Sequence, residues 1–231
     1  MSAHLSIIGG GPAGLRAAEI ALSRGIEVTL FDGKPSVGRK FLVAGKGGLN
    51  LTHGEALERF LTRYSGPAGF WNEVISSFTP EDLRKWAADL GVETFQATSG
   101  RVYPKALKAA PLLRRWIGRL KENGVRFAMN HRLTGIDPGF TLRFENGASH
   151  PCDAVLLALG GGSWPQTGSD GGWIPVLENL GLPVAPLQPA NCGWEHAWPD
   201  GIRSVIEGQP LKNIHVRAGD QLAVGELMLT R

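Results

Sequence analysis

Apolar residues in this chain come in short runs that stop at glycine, and amphipathic stretches lie between them. Leu5 to Ile8 ends at Gly9, and an alanine-rich amphipathic segment, Ala13 to Arg24, follows at once, which predicts strand, tight turn, helix. Gly25 stands where a left-handed residue stops the helix, and Glu27 to Phe31 resumes as strand with Asp32 at its tip. This completes a right-handed βαβ unit in about 30 residues.

The period then changes. A glycine-rich loop, Gly38 to Asn50, leads into helical stretches near Glu55 to Arg63, Gly69 to Ser77 and Pro80 to Leu90. The last has a clear start: Thr79 caps it, Pro80 takes the first helical position, and Glu81 and Asp82 set negative charge against its N-terminus. Val92 to Gln96 and Arg101 to Tyr103 read as a hairpin around Thr98-Ser99-Gly100. Ala106 to Asn123 is a long amphipathic helix, followed by strands near Val125 to Met129, Arg132 to Ile136 and Thr141 to Phe144, with a turn at Asn146-Gly147. Ala154 to Leu159 is apolar throughout, the pattern of a parallel strand buried on both faces. From Gly181 the texture shifts to prolines and short β-like pieces such as Ile214 to Val216, so a boundary is expected between Pro186 and Asn191.

Composition is that of a globular chain, with 42% hydrophobic and 19% charged residues, and no apolar run approaches the roughly 20 residues of a membrane span. The first residues carry no secretory signal, which makes a cytoplasmic location the expectation. Cys152 and Cys192 form neither a disulfide framework nor a CxxC pair. The net charge is +3, but the basic residues are scattered along the sequence and no nucleic-acid motif accompanies them, so no nucleic-acid partner is expected. Glycine, at 32 of 231 residues, is the real anomaly, about twice the usual ~7% share. Much of the excess sits in Gly9 to Gly14, Gly38 to Gly48 and Gly160 to Gly172, and clustered glycine of this kind lets backbone approach phosphates.

Gly9-x-Gly11-x-x-Gly14 is weak evidence alone, but here it follows a strand, opens a helix and precedes an acidic residue at the next strand end, which is the dinucleotide fingerprint. Gly9 suits the tight turn, Gly11 the approach to pyrophosphate with Pro12 and Ala13 opening the helix, and Gly14 the helix-to-strand packing. Asp32, followed by Gly33 and Lys34, is placed to accept from adenosine ribose hydroxyls. FAD and NAD share this fingerprint. The second cluster points to FAD: a nicotinamide-binding unit would continue into a helix after the second strand, whereas a basic glycine-rich loop with Ala44, Gly45, Gly47 and Asn50 can wrap a longer cofactor, Arg39 or Lys40 offsetting phosphate charge. Ala158, Gly160 and Gly161 end the apolar strand and form the third cluster.

Four segments, Gly9 to Gly14, Gly38 to Thr52, Gly100 to Pro104 and Ala158 to Gly171, together resemble the YhiN-type flavoproteins, also labelled aminoacetone oxidase-like or BaiN-like NAD(P)/FAD-dependent oxidoreductases. The resemblance implies FAD as cofactor, NAD(P)H as a candidate electron donor, a small-molecule substrate, and a backbone position near Leu133 that meets the adenine. It also implies an inserted β-rich domain and a returning C-terminal segment that completes the flavin site. Residues 190–231 look like the start of that insertion, so the chain is expected to be incomplete, with the isoalloxazine end exposed and FAD held less tightly. Where many relatives read Gly-Arg-Cys-Asn, this chain has Gly47-Gly48-Leu49-Asn50, and His53 stands where Asn is common, so a mechanism built on that cysteine does not transfer.

The fold expected is therefore α/β. A Rossmann-like FAD-binding domain spans 1–188, a parallel sheet with meander and hairpin additions and a mainly helical insert at 54–123, and a β-rich second domain starts at 189–231. The six histidines form no ligand set, so no metal is expected, and Ser163 lies in no nucleophile elbow. Arg101 and Tyr103 are candidates for a substrate pocket or for packing, and Trp164, Trp173, Trp194 and Trp198 for packing near the domain junction, with a flavin or substrate wall as the alternative. An FAD-dependent oxidoreductase, transferring hydride or electrons between NAD(P)H or oxygen and an unidentified small organic substrate, is the leading reading, with catalytic residues unassigned. A non-catalytic FAD-binding or redox-sensing module is the alternative, and an NAD(P)-only dehydrogenase is disfavoured by the Gly38 to Asn50 loop.

Overall fold

The computed structural model of the protein describes residues 3–67, 69–188 and 197–228. The chain divides into two compact units, Met1–Leu187 and Gln188–Arg231. Cys192, Trp194 and the last residues, Leu229 to Arg231, lie outside the described residues.

The first unit opens with β1 (His4–Ile8), α1 (Pro12–Ser23) and β2 (Glu27–Asp32), the βαβ order expected. A short helix, α2 (Arg39–Ala44), precedes β3 (Thr52–His53), and the insert continues through α3 (Leu57–Leu61), α4 (Phe70–Ser77) and α5 (Pro80–Asp89). Next come β4 (Thr94–Gln96), β5 (Arg101–Pro104), α6 (Ala109–Glu122) and β6 (Arg126–Met129). The meander β7 (Leu133–Asp137), β8 (Thr141–Phe144) and β9 (Ser149–Pro151) leads to β10 (Ala154–Leu157) and then α7 (Ile174–Glu178). The second unit contains α8 (Asp200–Ile206) and an antiparallel hairpin of β11 (Pro210–Ala218) and β12 (Gln221–Met228).

A four-stranded parallel sheet in the order β10-β1-β2-β6 organises the first unit, with Ile7 opposite Leu156 on one side and Leu30 on the other. Successive side chains of a strand face opposite ways. Ile7 and Leu30 enter one core with Leu15 and Ala18 of α1 and Leu112, Trp116 and Leu120 of α6. Ile8 and Phe31 enter a second core with Leu133, Leu142 and Phe144 of the meander and Val176 of α7. The βαβ strands are mainly apolar because both faces are covered, with Ser6 and Thr29 as their buried polar residues. Leu112 and Leu120 are fully buried, each worth about 1.5–3 kcal/mol relative to exposure.

α5 starts as its sequence requires. The Thr79 hydroxyl accepts from the Asp82 amide at 3.1 Å, and the Asp82 carboxylate accepts from the Thr79 amide at 3.0 Å, a reciprocal capping box.

Three elements differ from the sequence reading. The Gly38 to Asn50 stretch is not loop throughout, because Arg39 to Ala44 has no internal breaker and winds into α2 once Gly38, at φ 69°, has turned the chain. α6 begins at Ala109 rather than Ala106, since Leu107 has φ 59° and Lys108 is extended. β10 is parallel, as expected, but it borders the sheet and Ala154 and Leu157 are exposed rather than covered on both faces.

Candidate functional site

The site forms where β1 and β2 release the chain at the same end of the sheet. Gly9 takes φ 109° directly after β1, and its amide donates to the Phe31 carbonyl at 2.8 Å, so the turn is stitched to β2. A Cβ on Gly9 would overlap the Ala158 carbonyl, and one on Gly14 would overlap the Gly9 carbonyl. Both glycines are therefore explained by the packing of the chain on itself. Gly11 is not. Its backbone is extended, at φ −76° and ψ −179°, and a Cβ there would meet nothing within 4 Å. The space beside Gly11 is open, and it faces the start of α1, where free amides and the helix dipole favour an anion.

Asp32 closes the other side of the turn. Its Oδ2 accepts from the Gly10 amide at 2.9 Å and its Oδ1 from the Lys34 amide at 2.8 Å. Burial pushes the carboxyl above the ordinary aspartate range; the Lys34 and Gly10 amides, then Arg39 and Lys34, pull the other way without cancelling it. The carboxylate lines a cavity of about 120 Å³ together with Ile8, Gly9, Gly33, Lys34 and Leu133. Its far wall is the ion pair between Arg132 and Asp170 at 3.0 Å. The Asp170 carboxyl lies below its ordinary range, held there by the Gly172 amide and by Arg132.

A larger cavity of about 440 Å³ lies on the α1 side of the turn, lined by Gly11, Pro12, Ala13, Arg39, Lys40, Ala158 and Gly160 among others. Both cavities share Leu159, Thr167, Gly168 and Trp173, so they border one another beneath the Gly160 to Gly171 segment. Lys40 ties α2 to that segment: its Nζ donates to the Ser163 hydroxyl at 2.9 Å and the Ser169 hydroxyl at 3.4 Å. Arg39 Nε is buried with no protein acceptor. Gly161 lies behind this wall, its carbonyl accepting from the Ser169 hydroxyl at 3.0 Å.

The sequence-predicted residues are thus mostly brought together. Gly14, Ala44, Gly45, Gly47, Asn50 and Gly161 are not among those lining the two cavities, and Gly45 is accounted for by the close approach of Ala109 on α6. Sequence reasoning missed Arg132 and gave Thr167 and Asp170, within the Ala158 to Gly171 segment, no role of their own, while Trp173 lines both cavities. The ion pair joins positions 38 apart, and no local pattern marks it. His53 faces the turn between β4 and β5, its Nε2 lying 3.0 Å from the Ser99 carbonyl. Among the described residues no helix is long and apolar enough to cross a membrane.

This geometry is that of a Rossmann domain, and residues 3–225 match the family described as HI0933-like protein Rossmann domain. The chain belongs to that family. It is 31% identical over 193 residues to a 3-dehydro-bile acid delta(4,6)-reductase from Clostridium scindens, covering 81% of this chain and 46% of that protein. Identity to a ribosomal RNA dihydrouridine synthase from Haemophilus influenzae is 25% over 210 residues, covering 87% of this chain and 51% of that one. The chain spans about half the length of these curated relatives. Among solved structures, a 3-ketosteroid-delta4-(5alpha)-dehydrogenase from Rhodococcus jostii aligns with a TM-score of 0.48 and 17% identity, over 68% of this chain and 46% of that chain.

Proposed function

We propose that this chain forms the FAD-binding part of a flavin-dependent oxidoreductase that reduces an unsaturated organic substrate. The observation that carries the reading is Gly11: its missing side chain is required neither by backbone conformation nor by protein packing, and the space it leaves opens at a helix N-terminus. The buried, unpartnered Nε of Arg39 beside the same cavity supports an anionic occupant. The two named relatives support the reaction class, since a delta(4,6)-reductase and a dihydrouridine synthase both add hydrogen across a carbon–carbon double bond.

In this reading Asp32 accepts from the ribose hydroxyls on the lone pairs not used by Gly10 and Lys34, and Gly33, Lys34 and Leu133 border the adenosine. The pyrophosphate lies against Gly11, Pro12 and Ala13 at the start of α1, whose close packing on the turn Gly14 permits, with Arg39 and Lys40 supplying positive charge. Ala158 and Gly160 form the opposite wall with Gly161 behind it, and Lys40 keeps that wall against α2 through Ser163 and Ser169. Bound FAD supplies two-electron chemistry, and this part of the protein contributes binding and orientation. NAD(P)H is the proposed electron donor.

The test is direct. Purified protein should carry flavin absorbance and release FAD on denaturation, and NADH or NADPH should bleach that absorbance under anaerobic conditions. A colourless protein that binds only nicotinamide nucleotide overturns the FAD assignment. A yellow protein that no nicotinamide donor reduces overturns the donor, and failure with every donor and acceptor favours a non-catalytic FAD module.

A further inference from the structure

The connection between β6 and β7 is tied to the end of β2. Asn130, at φ 59°, turns the chain; its amide donates to the Lys34 carbonyl at 3.2 Å, and the His131 amide donates to the Asp32 carbonyl at 2.8 Å. His131 therefore stands beside the acidic residue that serves the ribose in the proposed cofactor site, and it borders the same cavity of about 120 Å³. Neighbouring rings fix its side chain. The Phe144 ring lies edge-on to the imidazole at 5.0 Å between centroids, and the Phe31 ring is tilted against it at 5.6 Å. A third restraint is polar: Nδ1 lies 2.8 Å from the Met129 carbonyl.

A carbonyl only accepts, so the proton sits on Nδ1 and the neutral ring carries its lone pair on Nε2. Among the described residues Nε2 has no protein partner, and it is not sealed off by its neighbours as the orphaned Nε2 of His150 is. The other polar side chains of the cavity are donors or are engaged. Lys34, Arg132 and the Trp173 indole only donate. Asp170 accepts from Arg132 and from the Gly172 amide, the Thr167 hydroxyl donates to the Trp164 carbonyl at 2.9 Å, and Asp32 accepts from two backbone amides. His131 is thus the neutral side-chain acceptor left open in this cavity. It suits a ligand that presents an N–H beyond its ribose.

We infer that His131 is the residue that selects the base of the bound dinucleotide, its Nε2 accepting from the exocyclic amino group of adenine and rejecting purines that carry a carbonyl oxygen at that position. Adenine offers a donor there, whereas guanine and hypoxanthine offer an acceptor. Two acceptors facing one another leave both unsatisfied, and a site built to hydrogen-bond one group discriminates against the analogue that lacks it. The Met129 carbonyl enforces the choice, because a ring whose proton is held on Nδ1 cannot offer Nε2–H to a carbonyl oxygen instead. This inference rests on the reading that the cavity takes the adenosine of the cofactor. It does not depend on the flavin, since FAD and NAD share the ADP portion.

The experiment is isothermal titration calorimetry of the whole chain, stripped of bound flavin, with ADP and with IDP at about pH 8, above the ordinary histidine range. ADP should bind about tenfold more tightly than IDP, or better. His131→Phe keeps a ring between Phe31 and Phe144 but removes the acceptor, so ADP should weaken to within about threefold of IDP. His131→Gln can turn either its oxygen or its nitrogen to the base, so it should narrow the preference by tightening IDP, a gain that lost packing does not produce. Equal binding of ADP and IDP by the wild-type chain overturns the inference, as does a wild-type preference retained in H131F. Unfolding midpoints are measured for both variants, and if H131F does not fold, an unchanged preference in H131Q overturns it. Failure of ADP to bind at all is a different result: it overturns the adenosine reading of the cavity, and the choice of base falls with it.

Discussion

The Asp32 carboxylate accepts from the Gly10 amide at 2.9 Å, so the acidic tip of β2 and the middle of the glycine turn are one hydrogen-bonded unit. A Cβ on Gly10 would crowd that same carboxylate oxygen and Val37, which is why the turn holds its shape only with glycine there. Asp32→Asn replaces one acceptor oxygen with a donor facing an amide. Hydrogen bonds to a charged acceptor contribute about 1.5–3 kcal/mol, so FAD affinity should fall about 10- to 100-fold, measured by quenching of flavin fluorescence. Unchanged affinity would remove Asp32 from the ribose site.

The two aspartates of the small cavity predict opposite pH dependences. Asp32 has a folded pKa raised by burial, so its contribution to stability is full below the ordinary aspartate value of about 3.9 and is lost as pH rises through the raised value. Asp170 has a lowered pKa, so its contribution is present above about 3.9 and is lost as pH falls through the folded value. Unfolding midpoints followed against pH should lose the first dependence in D32N and the second in D170N. FAD affinity should also weaken on acidification before an ordinary aspartate would protonate, because neutral Asp32 is a poorer acceptor.

Gly11→Ala and Gly14→Ala separate cofactor space from fold. The first adds a methyl where nothing lies within 4 Å and the backbone is extended, so the unfolding midpoint of the unliganded protein should stay close to the wild-type value while FAD binding weakens at least tenfold. The second drives a methyl into the Gly9 carbonyl and should destabilise the domain by roughly 2 kcal/mol or more. Equal thermal losses from both would show that Gly11 serves packing.

Lys40→Ala removes the side chain that joins α2 to Ser163 and Ser169. Hydrogen exchange should rise selectively across 160–171, with little change in α1, and FAD should dissociate faster. Uniform exchange would mean the segment is held by its own turn, where the Trp164 amide donates to the Ser169 carbonyl at 2.9 Å.

Much of this architecture was legible because it rests on short-range chemistry. Gly9, Gly14 and Asp32 fall within one βαβ unit, and Thr79, Pro80 and Asp82 define a helix start in four consecutive residues. The rest depended on chain separation. Arg132 and Asp170 meet only because the meander and the Gly160 to Gly171 segment both return to the end of β1. α2 itself was hidden by its flanks. Glycines on both sides suggested loop, although the six residues between them contain nothing that opposes a helix.

β10 carries a consequence for handling the isolated protein. Among the described strands it pairs only with β1, yet its sequence is that of an interior strand, and Leu157 is 37% exposed. A border strand with apolar side chains and a row of backbone groups unpaired in the sheet is a template for strand addition. Self-association should therefore rise with protein concentration and with salt, since salt screens the repulsion between like-charged molecules. Ala154→Lys, a charge on the sheet border away from both cavities, should suppress it in light scattering while leaving the Gly9 to Gly14 turn intact.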